Sequence, residues 1–308
     1  MPNNGIGIAG VAWNCRLMAV RAGLSLGGGS RMQDDDSAAA IVYAADNGAS
    51  IINMSWGSSQ HSFVIQDAID YAYARGAVLI GAAGNSQEAE SIFPAGYRKV
   101  ISVASTTQHK QRYYKSNFGA SVDIGAPGNA ILSTQIDNDY RILTGTSMAA
   151  PHVAGVAALM RSKRPTLTHE EVRQILINTT DVVLEKDSDV PDPNLAGAGT
   201  LNAERALLAS GVLQARIHFP ETNSGGSTSI AFIGTAGGYK FNSWQLFYGS
   251  SSVPTTYVPF TDPVSTQKVE EHLAVWDTTD IPEDVYTCLL YTSPSPRDRT
   301  RSRMPSSA

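Results

Sequence analysis

Cysteine is nearly absent from this 308-residue chain: Cys15 and Cys288 are the only two. That scarcity excludes a disulfide-stapled scaffold and a thiolate metal site. No apolar run reaches the length a membrane-crossing helix needs, and no signal-peptide pattern opens the sequence. An excess of positive charge is missing as well. The formal net charge is −5, and residues 288–308 hold four arginines against one aspartate, so the rest is more acidic still. An acidic body gives no footing for nucleic acid. With 42% hydrophobic and 17% charged residues, the composition suits a globular protein with one large domain and a small one.

What is present begins with alternation. Residues 16–22, 50–55, 77–82 and 99–105 read as short buried strands, and 36–47 and 62–75 as helices between them. This order predicts a mostly parallel sheet with helices on both faces. In the second helix, Phe63, Ile65, Ala68, Ile69 and Ala72 share one broad face, and Gly76 supplies a stop. Helices over 146–163 and 168–178 follow, the latter opened by a Thr168/Glu171 capping box. Asp34-Asp35-Asp36 reads as a solvated helix start rather than a selector of basic substrates.

The most informative string is Gly145-Thr146-Ser147-Met148-Ala149-Ala150-Pro151-His152. A serine at the start of a buried helix lies near unpaired backbone N–H groups and the positive end of the dipole, where developing negative charge is stabilised. On Gly-Thr-Ser alone, simple N-capping is the better reading. The full string reverses that preference, because it closely resembles the nucleophile signature of subtilisin-like serine proteases, the subtilases. The α/β-hydrolase elbow is excluded, since its last glycine is replaced by Ala149.

Further landmarks resemble the same family in the expected order. Ile51-Ile52-Asn53-Met54-Ser55-Trp56-Gly57 resembles the substrate-lining strand, and the strand ending in Ala83-Gly84-Asn85 resembles the one that carries the oxyanion asparagine. Val122–Gly128 and Gly197–Ala203 match later landmarks. The resemblance implies a subtilisin-like three-layer α/β fold over residues 1–210 and a serine endopeptidase acting on polypeptides. Ser147 would be the nucleophile and Asn85 the oxyanion donor. Ser55, Trp56, Gly57, Ala83, Gly84 and Thr146 would bind substrate, facing an edge at Ser30-Arg31-Met32. It also implies a cis peptide at Phe93-Pro94, a propeptide in the full protein, and secretion.

A serine hydroxyl needs a base, and the base needs an orienting carboxylate. The family takes these from Asp-x-Gly and His-Gly-Thr motifs, and none of the six histidines here has that context. His152 and Asp123 lie near the matched strings, but the resemblance makes both structural. Asn3-Asn4-Gly5-Ile6-Gly7-Ile8 resembles the loop that follows the histidine motif, so the chain is expected to be a fragment, inactive in isolation. In similar proteases that loop wraps a structural Ca²⁺, here with Asn4 and the carbonyls of Ile6 and Ile8 in an incomplete site. A G-x-G-x-x-G match at Gly5–Gly10 lacks a preceding strand and an acidic ribose partner, and so does not predict a dinucleotide site.

After residue 210 the character changes. Segments 213–219, 228–233, 243–248, 255–258 and 284–288 are short, β-rich and separated by Gly, Ser and Pro. They predict a small β-sandwich over 211–287. Gly234-Thr235-Ala236 and Trp276–Thr287 resemble an Ig-like repeat, expected to be incomplete. From Cys288 onward the back-translated codons resemble a transposase-type sequencing adapter, so 288–308 are expected to be an adapter-derived or disordered tail. The competing function is a secreted binding or adhesion protein with a decayed, non-catalytic protease domain.

Overall fold

The computed structural model describes residues 4–26, 29–119, 121–183, 197–209, 211, 213–220, 229–238, 241–250, 256–282 and 286–294. The chain forms two compact units, Met1–Ala209 and Ser210–Ala308.

The first unit opens with an antiparallel hairpin of β1 (Gly23–Leu26) and β2 (Gly29–Met32). Then come α1 (Asp34–Asp46), β3 (Ile51–Met54), α2 (Phe63–Ala74), β4 (Val78–Ala82), β5 (Val100–Thr106) and β6 (Ile124–Pro127). β3, β4, β5 and β6 form one parallel sheet in that order. An antiparallel hairpin of β7 (Ile131–Gln135) and β8 (Asp139–Leu143) leads to α3 (Thr146–Lys163), α4 (His169–Asn178) and α5 (Ala203–Leu208).

Both faces of the sheet are covered. Ile52, Met54 and Leu79 pack with Ile41, Ile65, Ile69 and Ala72 of α1 and α2. Side chains alternate across a strand, yet Val78 and Ile80 on the opposite face are also buried. α3 lies against all four strands, burying Ala149, Ala150, Val153, Val156 and Ala157. Its small residues let a helix approach a sheet closely. The acidic triplet Asp34, Asp35 and Asp36 forms the exposed first turn of α1, and the Thr168/Glu171 capping box is made in both directions.

Residues 16–22 correct the sequence reading, because they form no strand. Leu17 is 95% exposed. An apolar run becomes a strand only where a neighbour accepts its backbone hydrogen bonds, and among the described residues none pairs with this one.

Asp181 ties three segments together after α4. It accepts from Lys110 Nζ at 2.7 Å and Asn202 Nδ2 at 2.9 Å, with Arg205 Nη1 at 3.2 Å. Burial raises its pKa, but the hydrogen bonds from Lys110 and Asn202 and the two positive charges outweigh that and hold it below the ordinary value. A carboxylate depressed in the folded state stabilises above its unfolded pKa of about 3.9, and that contribution is lost as pH falls through the lower folded value. Asp181→Asn is therefore expected to lower the melting temperature at neutral pH, with the deficit shrinking below about pH 4. A deficit of equal size in acid, by circular dichroism, would contradict this.

The second unit has β9 (Leu213–Phe219), β10 (Ser229–Gly238), β11 (Phe241–Ser250), β12 (Val258–Pro259), β13 (Lys268–Asp277) and β14 (Tyr286–Pro294). They make two three-stranded antiparallel sheets, β13-β10-β9 and β12-β11-β14. Phe232 and Trp276 from one sheet share a core with Trp244, Leu246 and Leu290 from the other. β14 corrects the expected break at residue 287. Tyr286, Cys288 and Leu290, two apart, point to the core, and Leu246 pairs with Leu290, so the strand continues through Pro294. The rest of the expected tail, 295–308, lies outside the described residues.

Candidate active site

The parallel sheet sets the site's position. Met54 of β3 stands level with Gly81 of β4. The segments that follow, Ser55–Gly57 and Ala83–Asn85, therefore leave adjacent strands at the same carboxyl edge, where open α/β sheets place their ligand sites. The N-terminus of α3 arrives at that edge.

Ser147 is not the N-cap of α3. Gly145 holds that position, and Ser147 is the second residue of the helix. Its hydroxyl leaves its own helix and donates to the Ser55 carbonyl at 3.0 Å. In return, Ser55 Oγ donates to the Ser147 carbonyl at 2.9 Å. Pro151 explains this exchange. A helix would satisfy the Ser147 carbonyl with the N–H four residues on, and proline has none. The Ser55 hydroxyl supplies the missing donor, itself accepting from Asn53 Nδ2 at 2.9 Å.

The orphan N–H at the start of α3 is satisfied from outside the helix as well. Asn85 Oδ1 accepts from Thr146 N at 2.9 Å and from Thr146 Oγ1 at 3.3 Å. This orients the Asn85 amide, leaving its N–H₂ end turned away from Thr146 on an exposed residue. Thr146 is fully buried, and its hydroxyl also accepts from Gly84 N at 3.2 Å. Its side chain therefore ties the segment after β4 to the start of α3. Ala83 is buried too, with its N–H on the Val103 carbonyl at 3.0 Å, while Ser55 and Trp56 are half-buried and Gly57 is exposed.

Two titratable residues near the motifs have other tasks. His152 Nδ1 lies 2.8 Å from the Met148 carbonyl one turn back. Asp123 pairs with Arg173 and accepts from Ser102 N at 2.9 Å. Among the described residues, no histidine or carboxylate hydrogen-bonds the Ser147 hydroxyl. Ser30 and Arg31 lie on β2, but their side chains are outside the described residues. Phe93-Pro94 is cis.

The calcium loop does not fit by itself. Asn4 Oδ1 accepts from Ile6 N at 3.2 Å, and Ile6 is 78% exposed. Ca²⁺ requires six to eight oxygens. Asn4, Ile6 and Ile8 offer three, and among the described residues no cluster of three acidic, histidine or cysteine side chains stands ready to complete it.

Sequence reasoning missed Asn117. It is fully buried, and Oδ1 accepts from Ser86 N at 2.9 Å and Glu88 N at 3.4 Å. Its backbone N–H donates to the Gly84 carbonyl at 3.0 Å. A Cβ on Gly84, which sits at φ +106°, would come within 2.6 Å of Asn117 Nδ2. Asn117 is thus the template for the loop carrying Asn85, and nothing local in its sequence signals this. Asn117→Ala would remove the shared acceptor of the part-buried Ser86 and Glu88 N–H groups, at a cost of roughly 0.5–1.5 kcal/mol for each bond lost. A fall of several degrees in the melting temperature is expected, and an unchanged value would contradict the template role.

A family model described as the subtilase family, Peptidase_S8, matches residues 1–231. The thermophilic serine proteinase of Bacillus sp. (strain AK1) is 43% identical over 181 residues, covering 59% of this chain and 44% of that protein. Subtilisin BL of Lederbergia lenta is 37% identical over 204 residues, covering 66% of this chain and 72% of the relative. A solved protease from Pseudoalteromonas arctica superimposes with a TM-score of 0.60 at 34% identity, covering 67% of this chain and 66% of that one. The chain spans about half the length of several of these curated relatives, 51% in the case of the Alkalihalobacillus alcalophilus alkaline protease.

Proposed function

The chain belongs to the subtilase family of serine peptidases, and from that membership we propose that Ser147 is the nucleophile and Asn85 the oxyanion donor of a secreted endopeptidase. The observation that carries the reading is the double link at the start of α3. Ser147 Oγ is held off its own helix by the Ser55 carbonyl, and the Asn85 amide is oriented by Thr146 N–H.

In the reaction, the Ser147 hydroxyl turns from the Ser55 carbonyl to a base and attacks the scissile carbonyl carbon. The proton goes to the base, and the oxyanion receives hydrogen bonds from Asn85 Nδ2 and the Ser147 N–H. That N–H belongs to the first turn of α3, whose donors have no partner within the helix. Ser55, Trp56, Gly57 and Gly84 are the accessible residues of the two segments and offer backbone groups to an extended peptide, with buried Ala83 behind them. Because no base touches Ser147 among the described residues, this chain by itself does not turn over substrate. The peptidase reading requires a base and an orienting acid of the kind that the family's His-Gly-Thr and Asp-x-Gly motifs supply. No step passes through calcium. The second unit, with two sheets sharing one core, is an Ig-like module.

The missing base also favours the second reading, a non-catalytic binding protein. A fluorophosphonate probe on the full-length gene product separates them. A single label mapped by mass spectrometry to Ser147 is expected. No label, with neither motif in the complete reading frame, would overturn the peptidase reading.

A further inference from the structure

We infer that His218, Thr235 and Glu270 form an acid-sensitive latch in the second unit, which holds β13 on β10 while the imidazole is neutral and releases it when the imidazole takes up a proton. The latch is independent of the assignment of Ser147 and Asn85.

The three residues come from the three strands of one sheet, β9, β10 and β13. β10 and β13 do not pair evenly there. Gly234 stands opposite Glu271 and Ala236 opposite Lys268, so Thr235 alone faces two residues, Val269 and Glu270. Such a bulge interrupts the ladder of backbone hydrogen bonds. The Thr235 hydroxyl repairs it, because its oxygen accepts from Glu270 N at 3.0 Å. Glu270 sits at φ +52°, a left-handed conformation that a non-glycine residue keeps only where its surroundings impose it.

Thr235 Oγ1 also lies 2.8 Å from His218 Nε2. Thr235 is fully buried and His218 is 9% exposed. The hydroxyl oxygen already accepts the Glu270 N–H, and its own hydrogen needs an acceptor. Among the described residues, His218 Nε2 is the hydroxyl's other partner. Nε2 therefore accepts, and the neutral ring carries its hydrogen on Nδ1. A proton added at Nε2 turns that acceptor into a donor aimed at a donor. The hydroxyl must then rotate, its hydrogen loses its acceptor, and a charged ring is left buried.

The neighbouring groups do not duplicate this response between about pH 7.5 and about pH 5. Arg216 on β9 stays charged, and Lys268 pairs with Glu271 at 2.9 Å. The β13 carboxylates Glu270, Glu271 and Asp277 belong to a class that ionises below that range, and the phenols Tyr248, Tyr286 and Tyr291 to one that ionises above it. Burial pushes the Cys288 thiol on β14 up to about 11. His272, the other imidazole of this unit, is exposed on β13 opposite Ile233. A histidine held neutral in the closed sheet and free to charge in the open one stabilises the closed sheet above about pH 6.5, and that contribution is lost as pH falls below it.

The test is hydrogen exchange on the 308-residue chain at about pH 7.5 and about pH 5, corrected for intrinsic rates and read by mass spectrometry. Peptides covering Ser229–Gly238 and Lys268–Asp277 are expected to lose protection by up to about 30-fold in acid, while those covering β3 and β4 keep theirs. His218→Gln retains an acceptor within reach of Thr235 and takes up no proton, so the loss should vanish. His272→Gln should leave it in place. Equal wild-type protection at both pH values, an equal loss in the first unit, or a loss that persists in His218→Gln overturns the latch. If His218→Gln is unprotected at both pH values because it does not fold, His272→Gln decides, since abolition of the loss there assigns the response to the exposed imidazole instead and its persistence leaves His218 as the titrating group.

Discussion

Ser147→Ala is expected to remove all fluorophosphonate labelling and all peptide hydrolysis attributable to the full-length gene product, with the fold preserved. The chemical loss is large because a covalent nucleophile has no substitute in the site. In subtilisin, a relative, removing the equivalent serine lowers kcat by about 2 × 10⁶-fold. The structural loss is small by comparison. Ser147 Oγ makes one hydrogen bond, to the Ser55 carbonyl, and a single such bond contributes roughly 0.5–1.5 kcal/mol net. The reverse bond, from Ser55 Oγ to the Ser147 carbonyl, uses backbone and survives the substitution. A melting temperature within a few degrees of wild type, together with no label, separates lost chemistry from lost fold. Undiminished labelling of Ser147→Ala would remove Ser147 from the mechanism.

Asn85→Ala is expected to lower kcat by about 10²–10³-fold with KM little changed, the size measured for the oxyanion asparagine of subtilisin. The interaction forms only once the carbonyl oxygen carries negative charge, so the loss falls on kcat. Asn85 has a second task, however, since its Oδ1 accepts the Thr146 N–H at 2.9 Å. Alanine removes both. Asn85→Asp separates them, because it keeps the acceptor for Thr146 and replaces the N–H₂ donor with a second acceptor. If Asn85 serves the transition state, Asn85→Asp loses at least as much kcat as Asn85→Ala. If it serves only to cap α3, Asn85→Asp retains activity near wild type, and the donor role is refuted.

Much of the first unit was legible in the sequence. The helices at α1, α2, α3 and α4 follow apolar periodicity and end signals, and each is one continuous segment whose hydrogen bonds are local. Strands β3, β4 and β5 are short apolar runs between them. The reading failed where pairing was needed. Residues 16–22 have the composition of a strand but no partner among the described residues. Cys288–Pro294 resemble adapter codons yet complete a sheet, because alternate residues bring Cys288 and Leu290 to a core built by Trp244, Leu246 and Trp276.

At the site, the strings around Ser147 and Asn85 were enough to identify the family, since their signatures are contiguous in sequence. The sequence alone also showed that the expected base motif is absent from the six histidines. Only the tertiary structure decided what those side chains do before reaction. Ser55 is 92 residues from Ser147 and Asn85 is 61 from Thr146. Asn117 holds the loop carrying Asn85 from a segment with no local signature. Thr146 is buried and ties the segment after β4, at Gly84 and Asn85, to the start of α3. Each of these depends on which strand ends share one edge of the sheet. That is fixed by hydrogen bonding and close packing between distant segments, and a linear pattern does not carry it.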